Sequence, residues 1–173
     1  MIVGIDPGAK GGVAFATRVS VISTYIMPSD VTELQALLAE EDVKMIFIEK
    51  AQTFGRGTKG RDKGDGIVGN WTYAKHYGEM LGMFKALRYP FREVPPREWQ
   101  SLMHKGASSK AQPKDRTFEV CYKLFPHLDF RVPNEKTGAL SKKPHDGIAD
   151  AALICEYGRL NYYEWKTTNN LGA

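Results

Sequence analysis

The sequence predicts an α/β fold, a five-stranded mixed sheet flanked by helices, and three observations carry that prediction. Three β-rich runs follow one another within the first 28 residues. A fourth apolar run, 44–48, returns after an amphipathic stretch, as a right-handed parallel crossover requires. A helix rich in small residues, 144–155, is suited to lying close against such a sheet.

The first twelve residues set the pattern for the elements that follow. A short apolar run ends on Asp6 and passes into a turn containing Pro7, Gly8, Gly11 and Gly12. Val13, Ala14 and Phe15 resume a strand pattern, so the stretch reads as a hairpin with Asp6 closing its first strand. A buried strand ends on an acid where that end opens onto a site or a turn. Asp before Pro-Gly is also ordinary turn chemistry, so Asp6 alone leaves both readings open. The run 19–27 closes at Pro28 and completes a meander. Asp30 with Glu33 three residues later is a capping-box pattern. Val31, Leu34, Leu37 and Leu38 then recur at helical spacing and predict a helix over 31–41. The apolar run 44–48 suits a central strand covered on both faces, and it ends on Glu49. Placed beside the first strand, it brings Asp6 and Glu49 out of the sheet at one edge.

Residues 50–70 are glycine-rich and hold almost no core material, the composition of a long functional or disordered loop. Phe54, an aromatic among glycines and cations, either anchors that loop or stacks on an unpaired base. Residues 71–88 predict a long helix with two apolar stripes: Trp71, Ala74, Tyr77, Leu81 and Phe84, then Tyr73, Met80, Met83 and Leu87. Such a helix needs two surfaces: the sheet is one, and the other is either a partner subunit or the remainder of its own subunit. Gly78 and Gly82 would let another backbone approach. A fifth strand at 91–94 stops at Pro95 and Pro96, and Pro96 opens a helix through Trp99, Leu102 and Met103. A helix over 114–124 places Phe118, Cys121, Tyr122 and Phe125 inward, with Lys110 and Lys114 at its entrance. Residues 126–143 read as a basic loop. The tail after Lys166 is expected to fray, leaving one domain over 1–165 and a frayed end at 166–173.

The chain's 173 residues suit one domain with a sizeable core. No apolar run has the length of a bilayer span, and the N-terminus lacks the basic region of a signal peptide. Cys121 and Cys155 have no CxxC spacing and are expected as reduced core thiols, which makes the cytoplasm the expected compartment. The net charge of +4 is mild, but its distribution is not even. Lys50, Arg56, Lys59, Arg61 and Lys63 outnumber Asp62 and Asp65. Lys105, Lys110, Lys114 and Arg116 face only Asp115, and Arg131, Lys136, Lys142 and Lys143 only Glu135. One such cluster is an ordinary solvated loop; three in glycine-, serine- or proline-containing loops predict a polyanion partner.

Asp146 and Asp150 lie four apart and therefore share a helix face. Asp146 suits the positive end of the helix dipole. That account does not cover Asp150, set among Ile148, Ala149, Ala151, Ala152 and Leu153. A carboxylate on a packed face is costly unless something positive meets it. Mg²⁺ or Mn²⁺ would meet it, since hard cations prefer oxygen ligands. Asp6, Glu49, Asp146 and Asp150, from two strand ends and one helix, have the make-up of a site for two metals about 3.5–4 Å apart. Such a pair carries in-line displacement at phosphorus, and basic loops around it would hold a nucleic-acid backbone.

With these residues in view, the chain resembles the RuvC-type Holliday junction resolvases, particularly their short phage-encoded members. The resemblance rests on Gly4-Ile5-Asp6-Pro7-Gly8, on Glu49 closing the fourth strand, and on His145-Asp146-x3-Asp150-Ala-Ala-Leu-Ile. The order β-β-β-α-β-α-β-α-α is also similar to their ribonuclease H-like fold, over residues 1 to about 160. It implies a homodimer that cuts a four-way DNA junction by paired symmetric nicks, leaving 5′-phosphate and 3′-hydroxyl ends. It implies two Mg²⁺ or Mn²⁺ ions per site, with Asp6, Glu49, Asp146 and Asp150 as both catalytic residues and metal ligands. Loop 50–70 with Phe54, and Lys105, Lys110 and Lys114, would lie against the junction, as would the cations Lys50, Arg56, Lys59, Arg61, Lys63, Lys142 and Lys143. Two features depart from the bacterial pattern. The last two acids are separated by three residues instead of two, with Gly147 at the strict position, which leaves open which of His145 and Asp146 binds metal. Phe54 stands two residues further from Glu49.

Other readings differ in what they demand. An actin-like or sugar-kinase ATPase also opens with Gly-Ile-Asp-x-Gly but needs a second lobe that these 173 residues do not accommodate. A DNA-binding module without chemistry would keep its junction affinity in Asp6→Asn. A different ribonuclease H-like nuclease would act on flaps, forks or RNA–DNA hybrids.

Overall fold

The computed structural model describes residues 1–51, 65–105, 107, 113–134 and 137–169, apart from the side chains of 65–70, 113–114 and 165–169. Five strands, β1 (Ile2–Asp6), β2 (Gly12–Ala16), β3 (Val21–Ile26), β4 (Met45–Glu49) and β5 (Phe91–Val94), form one sheet in the order β3-β2-β1-β4-β5. The three N-terminal strands pair antiparallel. β4 runs parallel to β1, and β5 parallel to β4. The mixed sheet is the one the sequence predicts.

Side chains alternate across a strand, and here that alternation feeds two cores. Val3, Ile5, Val13, Phe15, Ile46 and Ile48 pack under α1 (Val31–Ala39) and α2 (Asp65–Ala86). Ile2, Ala14, Ala16, Phe47 and Val94 pack on the other face with α5 (Asp146–Asn169), α3 (Pro96–Met103) and α4 (Pro113–Leu124). α5 lies directly on β1 and β2, with α3 and α4 against its flank.

The start of α1 follows from its cap. The Asp30 carboxylate accepts from the backbone N–H groups of Thr32 at 2.7 Å and Glu33 at 3.1 Å. Glu33 reaches back past the cap to Ser29, accepting from its N–H at 3.1 Å and its hydroxyl at 3.0 Å. Caps of this kind are worth about 1 kcal/mol.

Four elements differ from expectation. α2 begins at Asp65, so the end of the predicted 50–70 loop is helical, while 52–64 lie outside the described residues. Gly66 and Gly69 each cost about 1 kcal/mol relative to alanine, a local preference that cheap propagation of a long helix overrides. The buried face of α2 draws on both predicted stripes: Tyr77, Met80 and Phe84 are buried, whereas Trp71 is 72% exposed. One helical face docks on the sheet, and those three positions keep the 3.6-residue period. In α4 the buried line is Thr117, Val120 and Cys121, continued by Phe125 just beyond its end, with Tyr122 half exposed, and in α3 Leu102 is likewise half exposed. α5 runs to Asn169, well past residue 155 and through the first part of the expected frayed tail.

α2 ends in a Schellman turn built without glycine. Arg88 takes φ 58°, its N–H donates to the Lys85 carbonyl at 3.2 Å, and the Tyr89 N–H donates to that of Phe84 at 2.9 Å. Within 126–143, a bridge between Pro133 and Leu140 gives part of the predicted loop a short antiparallel pairing. Cys121 and Cys155 are buried thiols that donate to the carbonyls of Ala149 at 3.5 Å and Ile2 at 3.4 Å. Among the described residues no helix is long and apolar enough to cross a membrane.

Candidate active site

Register decides where the strand-end acids go. β1 and β4 pair Val3 with Ile46 and Ile5 with Ile48, so Asp6 and Glu49 are the next residues along two parallel neighbours. Ile2 and Phe47 point into the α5 core, and Asp6 and Glu49 keep that parity two or four residues on. Both acids therefore leave the sheet on the face that carries α5. Asp6 is also the last partner of the hairpin, opposite Gly12, and its Oδ1 accepts from the Gly8 N–H at 3.3 Å.

The approach of α5 depends on missing side chains. A Cβ on Gly147 would stand 2.0 Å from the carbonyl oxygen of Lys10. One on Gly12 would meet Ile148 Cα at 2.7 Å, and one on Gly4 the Cys155 nitrogen at 2.3 Å. Each collision is with backbone, which cannot swing aside. Glycines on both surfaces thus seat the first turn of α5, with Asp146, against the turn that follows Asp6. Asp150 comes one helical turn later on that face.

The resulting electrostatics are frustrated. Burial pushes the Asp150 carboxyl up to about 7; the charges of Asp6, Glu49 and Asp146 push the same way, against the Thr117 hydrogen bond. Burial likewise raises Glu49 to about 7, with Trp99 opposing and Asp6 assisting. Asp6 is raised by burial, partly offset by the Gly8 N–H. Three carboxyls from three elements are thus made reluctant to ionise by burial and, for Glu49 and Asp150, by one another. A cation would reverse that reluctance. As the side chains stand, no three Asp, Glu, His or Cys groups among the described residues close into a metal-holding cluster. The all-oxygen donor set nevertheless fits a hard divalent ion.

His145, the residue left open beside Asp146, caps the helix. Its Nδ1 accepts from the Ile148 N–H at 3.3 Å, and its own N–H donates to Phe130 at 2.7 Å. Its pKa is lowered, mainly by burial, with Asp146 opposing and Lys10 contributing.

Of the predicted cationic positions, Lys50 follows Glu49 directly, and its N–H extends the β5 pairing to Val94 at 2.8 Å. Lys105 is exposed just beyond α3, and Lys142 and Lys143 are exposed immediately before Pro144 and His145. Lys114 lies in the first turn of α4. Phe54, Arg56, Lys59, Arg61, Lys63 and Lys110 lie outside the described residues. Arg131, counted in the third basic cluster, is held by Asp129 through Nε at 3.0 Å and a terminal nitrogen at 2.7 Å, which trims that cluster.

Several site neighbours escaped the sequence reading. Trp99 donates its indole N–H to Glu49 Oε2 at 2.7 Å. The Thr117 hydroxyl donates to Asp150 Oδ1 at 3.1 Å and lies 3.3 Å from His104 Nε2. Tyr73 sits near enough to the site for the charges of Glu49 and Asp6 to help burial push its phenol up to about 12. Lys10, exposed in the glycine turn, is felt by His145. A buried tryptophan needs a partner for its N–H, and that rule was the available signal for Trp99. Thr117, one turn before Cys121 on an otherwise apolar line, was the corresponding signal in α4.

The sheet order and flanking helices define the class: a ribonuclease H-like fold, matching that of RuvC structures. Among solved structures, the chain is similar to Thermus thermophilus RuvC in complex with Holliday junction substrate, with a TM-score of 0.58, 10% identity and 94% of each chain covered. It is also similar to the Thermus thermophilus RuvC structure, with a TM-score of 0.54, 13% identity and 96% of each chain covered. At such identities the likeness is one of fold. No protein-family model matches the sequence, and no curated protein does.

Proposed function

We propose that the protein is a divalent-metal-dependent endodeoxyribonuclease that resolves Holliday junctions and related branched DNA by paired symmetric nicks, leaving 5′-phosphate and 3′-hydroxyl ends. One observation carries the reading: Asp6, Glu49 and Asp150, delivered by β1, β4 and α5, stand half-buried at one sheet edge, and Asp6 raises the carboxyl pKa of both others. A fold similar to that of a RuvC solved with Holliday junction substrate supports the choice of DNA.

Asp6, Glu49, Asp146 and Asp150 would hold Mg²⁺ or Mn²⁺, two per site. Bound there, the ions would supply an activated water and charge stabilisation for the departing 3′ oxygen. The residues themselves perform the remaining tasks. The β1 and β4 ends hold two carboxylates on rigid neighbouring strands, and α5 brings its pair against them. Burial limits the water that would compete for the acids, and a bound cation would favour their ionised forms. Lys50, Lys105, Lys142 and Lys143, together with Lys10, would neutralise backbone phosphates around the edge. Phe54, Arg56, Lys59, Arg61, Lys63, Lys110 and Lys114 complete the proposed DNA surface. α2 would form the homodimer contact, since Trp71 is exposed and added Cβ atoms at Gly78 and Gly82 meet nothing within 4 Å.

The test is incubation of labelled four-way junction, flap, linear duplex and RNA–DNA hybrid with and without Mg²⁺. Symmetric paired nicks in the junction alone, abolished in Asp6→Asn, are expected. Cleavage restricted to hybrid or flap would overturn the junction specificity, and no metal-dependent product on any substrate would overturn the nuclease reading.

A further inference from the structure

We propose that Trp99, His104 and Thr117 are positioning residues, an arc that fixes the Glu49 and Asp150 carboxylates relative to each other. The inference rests on the reading of those two acids as metal ligands. The arc is continuous. Trp99 Nε1 donates to Glu49 Oε2 at 2.7 Å. The Trp99 ring meets the His104 ring edge-on, with centroids 5.7 Å apart at 74°. His104 Nε2 lies 3.3 Å from Thr117 Oγ1, and that hydroxyl donates to Asp150 Oδ1 at 3.1 Å.

Proton bookkeeping orders the Thr117 end. A hydroxyl has one hydrogen, and an ionised carboxylate only accepts, so the Thr117 hydrogen is committed to Asp150. The Thr117 oxygen can then accept from His104 when Nε2 carries the ring proton. Trp99 and Thr117 are 1% and 5% exposed, so water competes little for either contact. Each donor uses one oxygen of its carboxylate and favours the ionised form, while the acid keeps lone pairs for an ion.

A purely structural tryptophan could satisfy its N–H on any backbone carbonyl. Here α3 and α4 instead each send a donor to a different site acid, and His104 at the end of α3 joins them. Carboxylates buried among like charges would otherwise turn away from one another; the arc opposes that rotation and preorganises the ligand pair.

The experiment is direct Mn²⁺ titration of the intact protein, with unbound ion counted by electron paramagnetic resonance. Thr117→Val keeps the side-chain shape and removes the hydroxyl; it is expected to weaken Mn²⁺ binding by about tenfold or more. Thr117→Ser restores the donor and should bind within about twofold of wild type, well short of the tenfold loss of such a contact. His104→Phe should weaken binding on its own but add nothing on the Thr117→Val background, because it acts through that hydroxyl. Trp99→Phe should also weaken binding, but its buried volume puts folding at risk, so the two Thr117 variants decide the outcome. Wild-type affinity in Thr117→Val, or additive losses in the double variant, would overturn the arc while the metal reading stands. A wild-type protein that binds no Mn²⁺ would overturn both.

Discussion

Asp150→Asn should make the metal-free protein more stable at pH 8 while abolishing the proposed cleavage. The reason is the burial of a carboxyl beside other acids at the sheet edge. In the fold, burial and the charges of Asp6, Glu49 and Asp146 raise the Asp150 carboxyl from its ordinary 3.8 to about 7. The unfolded chain therefore gives up this proton first as pH rises. Stability falls by about 1.4 kcal/mol for each pH unit between those two values and levels off above the folded value. The full penalty has a ceiling of about 4 kcal/mol at pH 8. Asparagine still has to be desolvated, although the Thr117 hydroxyl can donate to its amide oxygen, so the expected net gain is about 1–3 kcal/mol. For a chain of this size that is a rise in Tm of roughly 3–10 °C. The assay is thermal unfolding by circular dichroism in EDTA from pH 8 down to pH 4. The gain should shrink below pH 7 and be nearly gone by pH 4, where the wild-type carboxyl is protonated in the fold. Mn²⁺ should raise the wild-type Tm more than that of the variant, because a ligand stabilises the state that binds it. A variant less stable than wild type at pH 8 in EDTA, or a gain that ignores pH, would refute the electrostatic argument.

Three other perturbations follow from named contacts. Gly147→Ala places a Cβ 2.0 Å from the Lys10 carbonyl oxygen, backbone against backbone, and should cost about 2–4 kcal/mol in urea unfolding; a loss below about 0.5 kcal/mol would mean that α5 does not seat this closely. Arg88→Gly relieves a left-handed residue at φ 58° and should stabilise by about 0.5–1 kcal/mol, with denaturation midpoints as the readout and destabilisation as the contrary result. Trp71→Arg puts a charge on the exposed face of α2 without touching its buried side. It should yield a folded monomer by sedimentation at micromolar concentration if α2 is the dimer contact, whereas an unchanged dimer would place the contact elsewhere.

The parts of this architecture that read directly from sequence are the ones with local causes. Asp30 and Glu33 announce α1 because the capping contacts span only a few residues. The meander and the 44–48 strand follow from apolar runs broken by glycine and proline. Asp129, two residues before Arg131, was equally local; beginning the third basic cluster at residue 131 hid the pair. α2 shows where local signals run out. Its apolar residues satisfy two stripes, and only docking on the sheet chooses Tyr77, Met80 and Phe84 while leaving Trp71 exposed. Trp99 and Thr117 are harder still. Their partners, Glu49 and Asp150, lie 50 and 33 residues away, and no periodicity links them.

Sequence by itself singled out Asp6, Glu49, Asp146 and Asp150 as candidates, because two of them close apolar strands and two share one face of a small-residue helix. It also determined the strand sequence around them and the parallel return of β4. Tertiary structure alone decided that these acids share one face and one electrostatic environment. Strand parity, the β1–β4 register and the glycine-to-backbone seating of α5 set that geometry together, and each depends on partners remote in the chain. Tertiary structure alone also supplied the donors behind the acids. Hydrogen bonds of about 3 Å require packing to bring distant side chains into line, and composition and spacing carry no record of it.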